Sequence, residues 1–264
     1  MTINWTEFLL PYQLTVDELC LKFQNIKQEC LLNEQFSPIE SVTGRLKKPD
    51  SLRNKMKRKN ITYDEVKDKI WDVAGIRIIC RFMADIDTVL GIIRARQAND
   101  MEIIREADYV KEGKESGYRS YHVVIRYPLH TLKGLQHILA EIQIRTLAMD
   151  FWATIEHSLR YKYNGNIPPP LKKRLISSAE AAFRLDQEMD LIRRDIVEAS
   201  RVFEIKQAII DNSLKNLRSL YAGKNQEKAN ELNIEFLKLY QEDDLDQLLQ
   251  FNNKLNTIAN IYET

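Results

Sequence analysis

The segment Glu141-Ile142-Gln143-Ile144-Arg145-Thr146 alternates polar and apolar side chains. Alternate residues of a β-strand point to opposite faces, so Glu141, Gln143 and Arg145 share one face while the isoleucines face a core. An acid, an amide and a base side by side suit a site that holds a metal ion and a phosphorylated substrate. A solvated strand face has the same pattern, so the remaining sequence must distinguish the two interpretations.

Residues 45–59 concentrate positive charge, with eight basic side chains against one acid. Five residues recur at short steps: Arg45, Lys47, Ser51, Lys55 and Arg58. The last three share one face of a predicted helix, and Ser51 near its N-terminus adds a hydroxyl and free N–H groups to the cations. This combination predicts a polyphosphate cradle. A solvated basic face is the commoner reason for a charge run, and a nucleic-acid backbone would satisfy this one equally well.

Asp72 stands just before the β-rich segment Val73–Phe82, within which Arg77 projects. Paired with Glu141 on a neighbouring strand, Asp72 would offer Mg²⁺ the one or two carboxylates that this hard cation takes beside substrate phosphates. Alone, Asp72 fits a cap or a turn equally well, and sequence spacing does not prove that the two carboxylates meet.

A glycine-marked turn precedes another predicted strand in the segment Lys114-Glu115-Ser116-Gly117-Tyr118-Arg119-Ser120-Tyr121-His122. We expect Tyr118 at the start of that strand, where an aromatic ring can stack on a nucleotide base. An isolated tyrosine at such a position would by default be a core residue.

The acidic pair in Asp85-Ile86-Asp87 is similar to the metal-binding acids of nucleotidyltransferases. The pair stands where a predicted helix begins, so capping and compensation of the helix dipole explain it better. A different nucleotidyltransferase of related fold, which needs two close acids on one strand, is therefore a weaker alternative.

The predicted elements make a mixed sheet, because some strands adjoin without a helix between them; the fold class is α+β. Besides Val73–Phe82, the predicted strands are Glu40–Leu46, Met101–Tyr109, Tyr118–Tyr127 and Gln136–Arg145. The predicted helices are an amphipathic one through Tyr12–Cys30, the basic helix from Pro49 to Lys59, Ala84–Gln97 and Phe151–Lys162.

After Pro168-Pro169-Pro170, apolar residues from Leu171 to Phe203 keep a four-three spacing. Such a seam predicts a long helix with a partner, and we favour a homo-oligomer over packing on the chain's own body. Residues 204–264 form further helices, of which the last is weakened by four asparagines. We therefore expect a domain of residues 1–205 and a helical extension, 206–264.

The composition sets limits on the setting and the partners. A net charge of +1 on 264 residues gives no global attraction to nucleic acid or membrane. The three cysteines, Cys20, Cys30 and Cys80, suit a reducing compartment. The N-terminus lacks the basic region of a signal peptide, and no apolar run has the length of a membrane span. These features predict a cytoplasmic protein without a membrane partner.

Five ordered segments, spread over about 120 residues, resemble the motifs of the RelA/SpoT-type (p)ppGpp synthetase domain. They are Gly44-Arg45-x-Lys47-x3-Ser51-x3-Lys55, Asp72-Val73-Ala74-Gly75-Ile76-Arg77, Gly117-Tyr118-Arg119-Ser120-Tyr121-His122, Glu141-Ile142-Gln143-Ile144-Arg145-Thr146, and Phe151-Trp152-Ala153-Thr154-Ile155-Glu156-His157 with Tyr161-Lys162. The chain is similar to the stand-alone small alarmone synthetases of the RelQ type over roughly residues 4–205. The later residues have no counterpart in that pattern.

The resemblance implies a mixed-sheet, nucleotidyltransferase-like core flanked by helices, and a GTP pyrophosphokinase. This reaction moves the β,γ-pyrophosphoryl group of ATP to the 3′-hydroxyl of GTP or GDP. By resemblance, Asp72 and Glu141 would bind Mg²⁺ and Glu141 would also activate the hydroxyl. Arg45 and Arg77 would sandwich the adenine, and the ATP phosphates would be held by Lys47, Ser51, Lys55 and Arg58.

For the guanosine nucleotide, the resemblance implies stacking on Tyr118, with Lys114, His122 and Gln143 nearby. Many long family members have Asn before the Gly-Tyr pair, and this chain has Ser116, as the small synthetases do. No histidine is followed by aspartate, the pair that marks the family's hydrolase domain, so we expect synthesis without hydrolysis.

The resemblance also implies a homo-oligomer, in particular a tetramer. Some relatives are regulated at the oligomer centre by an alarmone or by single-stranded RNA, and the sequence leaves both regulators open. It also leaves open the preference among GDP, GTP and GMP. The alternative from a different class is a catalytically inactive RNA-binding or regulatory module of the same fold, which would use the basic run without needing Asp72 and Glu141 together.

Overall fold

The computed structural model describes residues 4–163, 167–222, 226–242 and 244–262. The chain divides into two compact units, residues 1–190 and 191–264. The division falls fifteen residues before the predicted domain boundary at 205/206. The predicted boundary marks the end of the synthetase domain, and it stays a prediction. No helix in the described ranges is long and apolar enough to cross a membrane.

The first unit contains a five-stranded mixed sheet, which confirms the predicted α+β fold class. In chain order the strands are β1 (Ser41–Leu46), β2 (Ala74–Cys80), β3 (Glu102–Asp108), β4 (Tyr121–Thr131) and β5 (Gly134–Thr146). Their order in the sheet is β1-β2-β5-β4-β3. Strands β2 and β5 are parallel, and the other neighbours are antiparallel.

Helices flank this sheet in the first unit, and further helices follow in the chain. They are α1 (Trp5–Leu32), α2 (Pro49–Lys59), α3 (Val66–Lys69), α4 (Met83–Ala95), α5 (Leu147–Lys162), α6 (Pro169–Ala222), α7 (Gln226–Glu242) and α8 (Leu245–Tyr262). The predicted helices are confirmed, with shifts of a few residues at their ends. The motif residue Tyr161 belongs to α5, but its side chain lies outside the described residues.

Alternation along the central strands separates a core face from a polar face. Ile76, Ile78, Ile142 and Ile144 are buried in the main hydrophobic core, which includes the buried side of α1. The intervening residues of β2 and β5 are in register, with Gly75 beside Glu141 and Arg77 beside Gln143. The polar set predicted from the sequence therefore lies on one face of the sheet.

Strand β4 begins at Tyr121, so the expected position of Tyr118 at a strand start is wrong. Residues 114–118 form a turn in which Gly117 N–H donates to the Lys114 carbonyl at 2.7 Å and Lys114 N–H donates to the Tyr118 carbonyl at 3.0 Å. Gly117 has φ of +89°, a conformation that L side chains rarely adopt. Because residues 114–118 fold into this turn, their backbone does not extend strand β4.

The acid at the start of α4 is a cap, as predicted. The carboxylate of Asp85 accepts from the backbone N–H of Phe82 at 3.2 Å. Asp85 is itself buried and forms part of a capping box at the helix N-terminus. Capping therefore explains the presence of Asp85, one of the two acids whose pattern is similar to the metal-binding acids of nucleotidyltransferases.

The second unit has its own core, formed by α7, α8 and the C-terminal part of α6. The buried members are Ile209, Ile210, Leu217, Leu220, Ala229, Leu232, Phe236, Leu248, Phe251 and Leu255. Two of the asparagines of α8 bind α6: Asn252 accepts from Ser213 at 3.1 Å, and Asn256 accepts from Asn216 at 2.6 Å. The predicted helices of this region are confirmed.

Candidate active site

A cavity of about 240 Å³ opens on the polar face of the sheet, where β1, β2 and β5 run side by side. Its lining residues are Thr43, Gly44, Arg45, Asp72, Gly75, Ile76, Arg77, Glu141 and Gln143. Five of the side chains predicted from the sequence thus line one cavity. The two carboxylates, Asp72 and Glu141, are among them, which answers the question that sequence spacing left open.

Asp72 lies between two lysines of the basic run. Its carboxylate accepts from Lys47 Nζ at 2.8 Å and from Lys55 Nζ at 2.7 Å. Burial by itself would raise the pKa of Asp72, but the two ammonium groups outweigh burial and hold that pKa below its ordinary value. Asp72 is therefore an anion at neutral pH, already in contact with the cations predicted to hold phosphate.

Glu141 is held at both carboxylate oxygens. His122 Nδ1 lies 3.2 Å from Oε1, and Gln143 Nε2 donates to Oε2 at 2.7 Å. Burial would raise the pKa of Glu141, and the nearby charge of Asp72 adds to that effect. The hydrogen bonds from His122 and Gln143 dominate and lower the pKa, and a protonated His122 would add to that effect. Glu141 is accordingly ionised and can accept a proton.

Arg45 and Arg77 form a diagonal pair across β1 and β2. Arg45 lies opposite Gly75, and Thr43 lies opposite Arg77, so both arginines project from the same sheet face. Diagonal neighbours of this kind are about 7–8 Å apart, which is about the spacing of two groups stacked on both sides of an aromatic base. Gly75 has no side chain to fill the space opposite Arg45.

Arg77 is half-buried and incompletely paired. Its Nη1 lies 3.3 Å from Asp150 Oδ1. Within the described part of the chain, Nε of Arg77 is buried without a hydrogen-bond partner. Burial and the neighbouring Arg145 lower the pKa of Arg77. An unpaired buried donor costs free energy, and a ligand with an acceptor or a π-face would offset that cost.

The four residues predicted for guanosine form one cluster beside Glu141. His122 lies opposite Gln143 in the β4–β5 pair. The Tyr118 hydroxyl is 2.8 Å from His122 Nε2, and Lys114 Nζ is 4.8 Å from the centroid of the Tyr118 ring. Burial lowers the pKa of Lys114, and the charge of Glu141 opposes that effect.

The Tyr118 turn is fixed by packing against helices α5 and α6. A Cβ added to Gly117 would lie 2.6 Å from the Cβ of Ala179. Trp152 packs on the same alanine, and its indole N–H donates to the Leu175 carbonyl at 3.0 Å. The tryptophan motif of α5 therefore supports the loop that carries Tyr118.

Two of the predicted phosphate ligands are not brought to the cavity. Ser51 and Arg58 are exposed on α2 and do not line it. Arg145 and Asp150, in contrast, belong to the site network, although Arg145 was predicted only as part of the polar strand face and Asp150 was not singled out. The alternation of polar and apolar residues places Arg145 on the same strand face as Glu141, and this pattern could have indicated its part in the network. Asp150 in the first turn of α5 has the sequence signature of a helix-dipole acid.

The site offers two carboxylates that fit a divalent cation. Among the described residues, no group of three or more His, Cys, Asp and Glu side chains is arranged to hold a metal ion. Asp72 and Glu141 offer two carboxylates at one cavity, and magnesium commonly takes one or two carboxylates with substrate phosphates and water.

Comparison with known proteins places this site in a family. Residues 44–166 match the family model described as the region found in RelA / SpoT proteins. The GTP pyrophosphokinase YjbM of Bacillus subtilis is 49% identical over 204 residues, which cover 77% of this chain and 95% of YjbM. The GTP pyrophosphokinase YwaC of the same organism is 40% identical over 195 residues, covering 73% and 92%.

Comparison with solved structures finds the same class of protein as the comparison of sequences. The small alarmone synthetase 1 of B. subtilis bound to its product pppGpp matches with a TM-score of 0.71 and 49% identity, covering 74% of this chain and 98% of that one. A GTP pyrophosphokinase family protein from Streptococcus pneumoniae matches with a TM-score of 0.71 and 51% identity, covering 75% and 97%. The chain therefore belongs to the RelA/SpoT family, among the stand-alone small alarmone synthetases.

Proposed function

We propose that this protein is a GTP pyrophosphokinase that converts ATP and GTP to AMP and pppGpp, and ATP and GDP to AMP and ppGpp. The 3′-oxygen of the acceptor forms a bond to the β-phosphorus of ATP, and the bond from that phosphorus to the oxygen of the α-phosphate breaks. The 3′-hydroxyl loses its proton. The absence of a His-Asp pair from the sequence supports synthesis without hydrolysis.

The observation that carries the proposal is the state of Glu141. This carboxylate lines the cavity, is held ionised by its neighbours, and lies beside the cluster of Tyr118 and His122. A general base must be ionised and fixed within reach of the proton that it removes. We therefore assign to Glu141 the removal of the proton from the 3′-hydroxyl.

The ATP side of the site supplies positive charge and a place for a flat base. Lys47 and Lys55 neutralise phosphate charge, and Arg45 and Arg77 stack on the adenine from both sides. Ser51 and Arg58 contribute to phosphate binding from α2. Their exposure in the structure leaves them accessible to a ligand that extends beyond the cavity.

Asp72 and Glu141 would hold Mg²⁺. When bound, the cation neutralises charge on the transferring polyphosphate. The residues of the chain perform the remaining tasks: the two lysines bind phosphate oxygens, the arginines orient the base, and Glu141 accepts the proton.

The guanosine nucleotide stacks on Tyr118, with Lys114, His122 and Gln143 around it. The small alarmone synthetase 1 structure carries pppGpp, a guanosine nucleotide of the required class. We further expect a homo-oligomer, a tetramer by resemblance, acting in the cytoplasm. Regulation by an alarmone or by single-stranded RNA would be exerted through that assembly.

The test is incubation of the protein with ATP, Mg²⁺ and one of GTP, GDP or GMP, followed by anion-exchange separation of the nucleotides. A new, more highly phosphorylated guanosine peak together with stoichiometric AMP is the expected result, and the three acceptors reveal the preference. AMP without the new peak would contradict pyrophosphoryl transfer. Tight RNA binding with no nucleotide product would favour the inactive regulatory module instead.

A further inference from the structure

Arg145 is the buried centre of the polar network beside Glu141. Its side chain is only 5% exposed. The guanidinium donates to Tyr118 Oη and Gln143 Oε1, each at 2.7 Å, and to Asp150 Oδ1 at 3.1 Å. Asp150 balances the buried charge, as burial of a guanidinium requires. Each of the two shorter bonds begins a chain of hydrogen bonds that ends at Glu141.

The first path runs through Gln143. A guanidinium can only donate, so the side-chain carbonyl of Gln143 must face Arg145. This orientation turns the amide nitrogen of Gln143 toward Glu141, where it donates to Oε2 at 2.7 Å. Without the guanidinium, the side-chain carbonyl of Gln143 loses its donor and the Glu141 carboxylate alone holds the amide. Arg145 thereby fixes the far end of the amide whose nitrogen donates to Oε2.

The second path runs through Tyr118 and His122. Because the Tyr118 hydroxyl accepts from Arg145, its own proton is available to His122 Nε2 at 2.8 Å. A neutral imidazole that accepts at Nε2 carries its proton on Nδ1. Nδ1 is the nitrogen that faces Glu141 Oε1 at 3.2 Å. Donors and acceptors therefore match along the whole path from Arg145 to Glu141.

Both paths end on the carboxylate of Glu141: the first path reaches Oε2 and the second path reaches Oε1. We propose that Arg145 is a positioning residue that orients Glu141 through Gln143 on one side and through Tyr118 and His122 on the other. The inference rests on the proposed role of Glu141 as the base. An arginine is required because Nη2 serves Tyr118 and Gln143 while Nη1 binds Asp150, whereas lysine has a single nitrogen that cannot hold all three in this geometry.

The first test is Arg145→Lys, which keeps a cation opposite Asp150. We expect kcat to fall about 10- to 100-fold, as for loss of an outer hydrogen-bond partner, with the KM for ATP nearly unchanged. Glu141→Gln made in the Arg145→Lys background should cost much less than Glu141→Gln costs in the wild type, because the base is already out of position. Ser120→Ala is the matched control: it removes a hydroxyl 3.4 Å from Arg145 Nε but cuts neither path.

A purely structural role for Arg145 would change the KM for ATP together with kcat, and the losses from Arg145→Lys and Glu141→Gln would then be additive, which would overturn the proposal. Tyr118→Phe supplies a second test that leaves Arg145 intact. It retains the ring but cuts the second path, so kcat should fall by less than in Arg145→Lys. Adding Arg145→Lys to Tyr118→Phe should cost less than Arg145→Lys costs in the wild type, because the shared path is already broken. Additive losses would contradict the second path.

Nitrogen NMR of the histidine side chains, at a pH where the imidazoles are neutral, tests the network without any assay of activity. The expected result is His122 with its proton on Nδ1 in the wild type and a mixture of tautomers in Arg145→Lys. A wild-type His122 with its proton on Nε2 would overturn the positioning proposal even if alarmone is made. Absence of alarmone with the expected tautomer would overturn the proposed function alone.

Discussion

Lys47 Nζ lies 2.8 Å from Asp72 Oδ2, so a cation assigned to phosphate is paired with a carboxylate assigned to Mg²⁺. Lys55 binds the other oxygen of the same carboxylate. Two ammonium groups against one carboxylate leave this part of the site with a net positive charge before any nucleotide arrives. Binding of ATP with its metal would replace lysine–carboxylate contacts by lysine–phosphate and metal–carboxylate contacts, which exchanges one set of charge pairs for another.

Glu141→Gln tests the base. The substitution retains the shape of the side chain but removes the charge needed to take a proton, so turnover should fall by about a hundredfold or more. The midpoint of thermal unfolding should barely move, because the amide keeps an acceptor for one of the two donors. Steady-state kinetics beside a thermal melt checks both expectations. Near-normal turnover would mean that another group removes the proton.

Tyr118→Ala tests the stacking surface. We expect the KM for the guanosine nucleotide to rise much more than the KM for ATP, because the ring contacts only one of the two substrates. The Tyr118→Phe variant retains the ring and should keep most of the affinity for the guanosine nucleotide. Equal changes in both KM values for the alanine variant would instead identify a structural tyrosine.

Leu185→Glu tests the predicted oligomer. Leu185 is 54% exposed on α6 and forms, with Met189 and Ile192, part of the apolar seam. A charge buried at a helix–helix contact would be unpaired and cost several kcal/mol, so light scattering should show a smaller species than the wild type. Gln187→Glu, on an exposed position of the same helix, adds the same charge as a control. A wild-type monomer would contradict the predicted contact.

Truncation after Phe203 tests the helical extension. The removed residues carry none of the five motifs, and the stretch 226–247 is acidic, so it would repel nucleotides rather than bind them. Pyrophosphoryl transfer should therefore remain largely intact. Turnover is measured beside the mass in solution, which reports any role in assembly. A large loss of activity at unchanged mass would show that the extension contributes to the site.

Asp186→Asn tests a buried carboxyl on α6. Burial raises the pKa of Asp186 to about 6, with a further contribution from Asp190, although its carboxylate accepts from Thr146 Oγ1 at 2.6 Å. The folded state therefore binds a proton more tightly than the unfolded state, and stability falls as the pH rises from about 4 to above 6. The loss in the free energy of unfolding reaches at most about 3 kcal/mol.

The asparagine variant should consequently melt at a higher temperature than the wild type at pH 7.5 and at nearly the same temperature at pH 4. Glu188→Gln, an exposed carboxylate on the same helix, serves as the control and should show no such pH dependence. An equal difference between Asp186→Asn and wild type at both pH values would show that the carboxyl does not titrate in this range.

The sequence alone determined the fold class, most elements and the side chains of the polar strand face. These features depend on local periodicity: alternation assigned Glu141, Gln143 and Arg145 to one face, and heptad spacing assigned the long α6 helix. Ordered motifs then indicated the family, because five segments in the right order are far more specific than any one of them.

Only the tertiary structure decided which of these side chains meet. The pairing of Asp72 with Lys47 and Lys55, and of Arg145 with Asp150, depends on how separate elements pack. The position of Tyr118 in a turn rather than a strand depends on Gly117 packing against Ala179 of α6, a contact between residues far apart in the sequence. Local patterns carry no information about such contacts, so the network that positions Glu141 became visible only when the chain was folded.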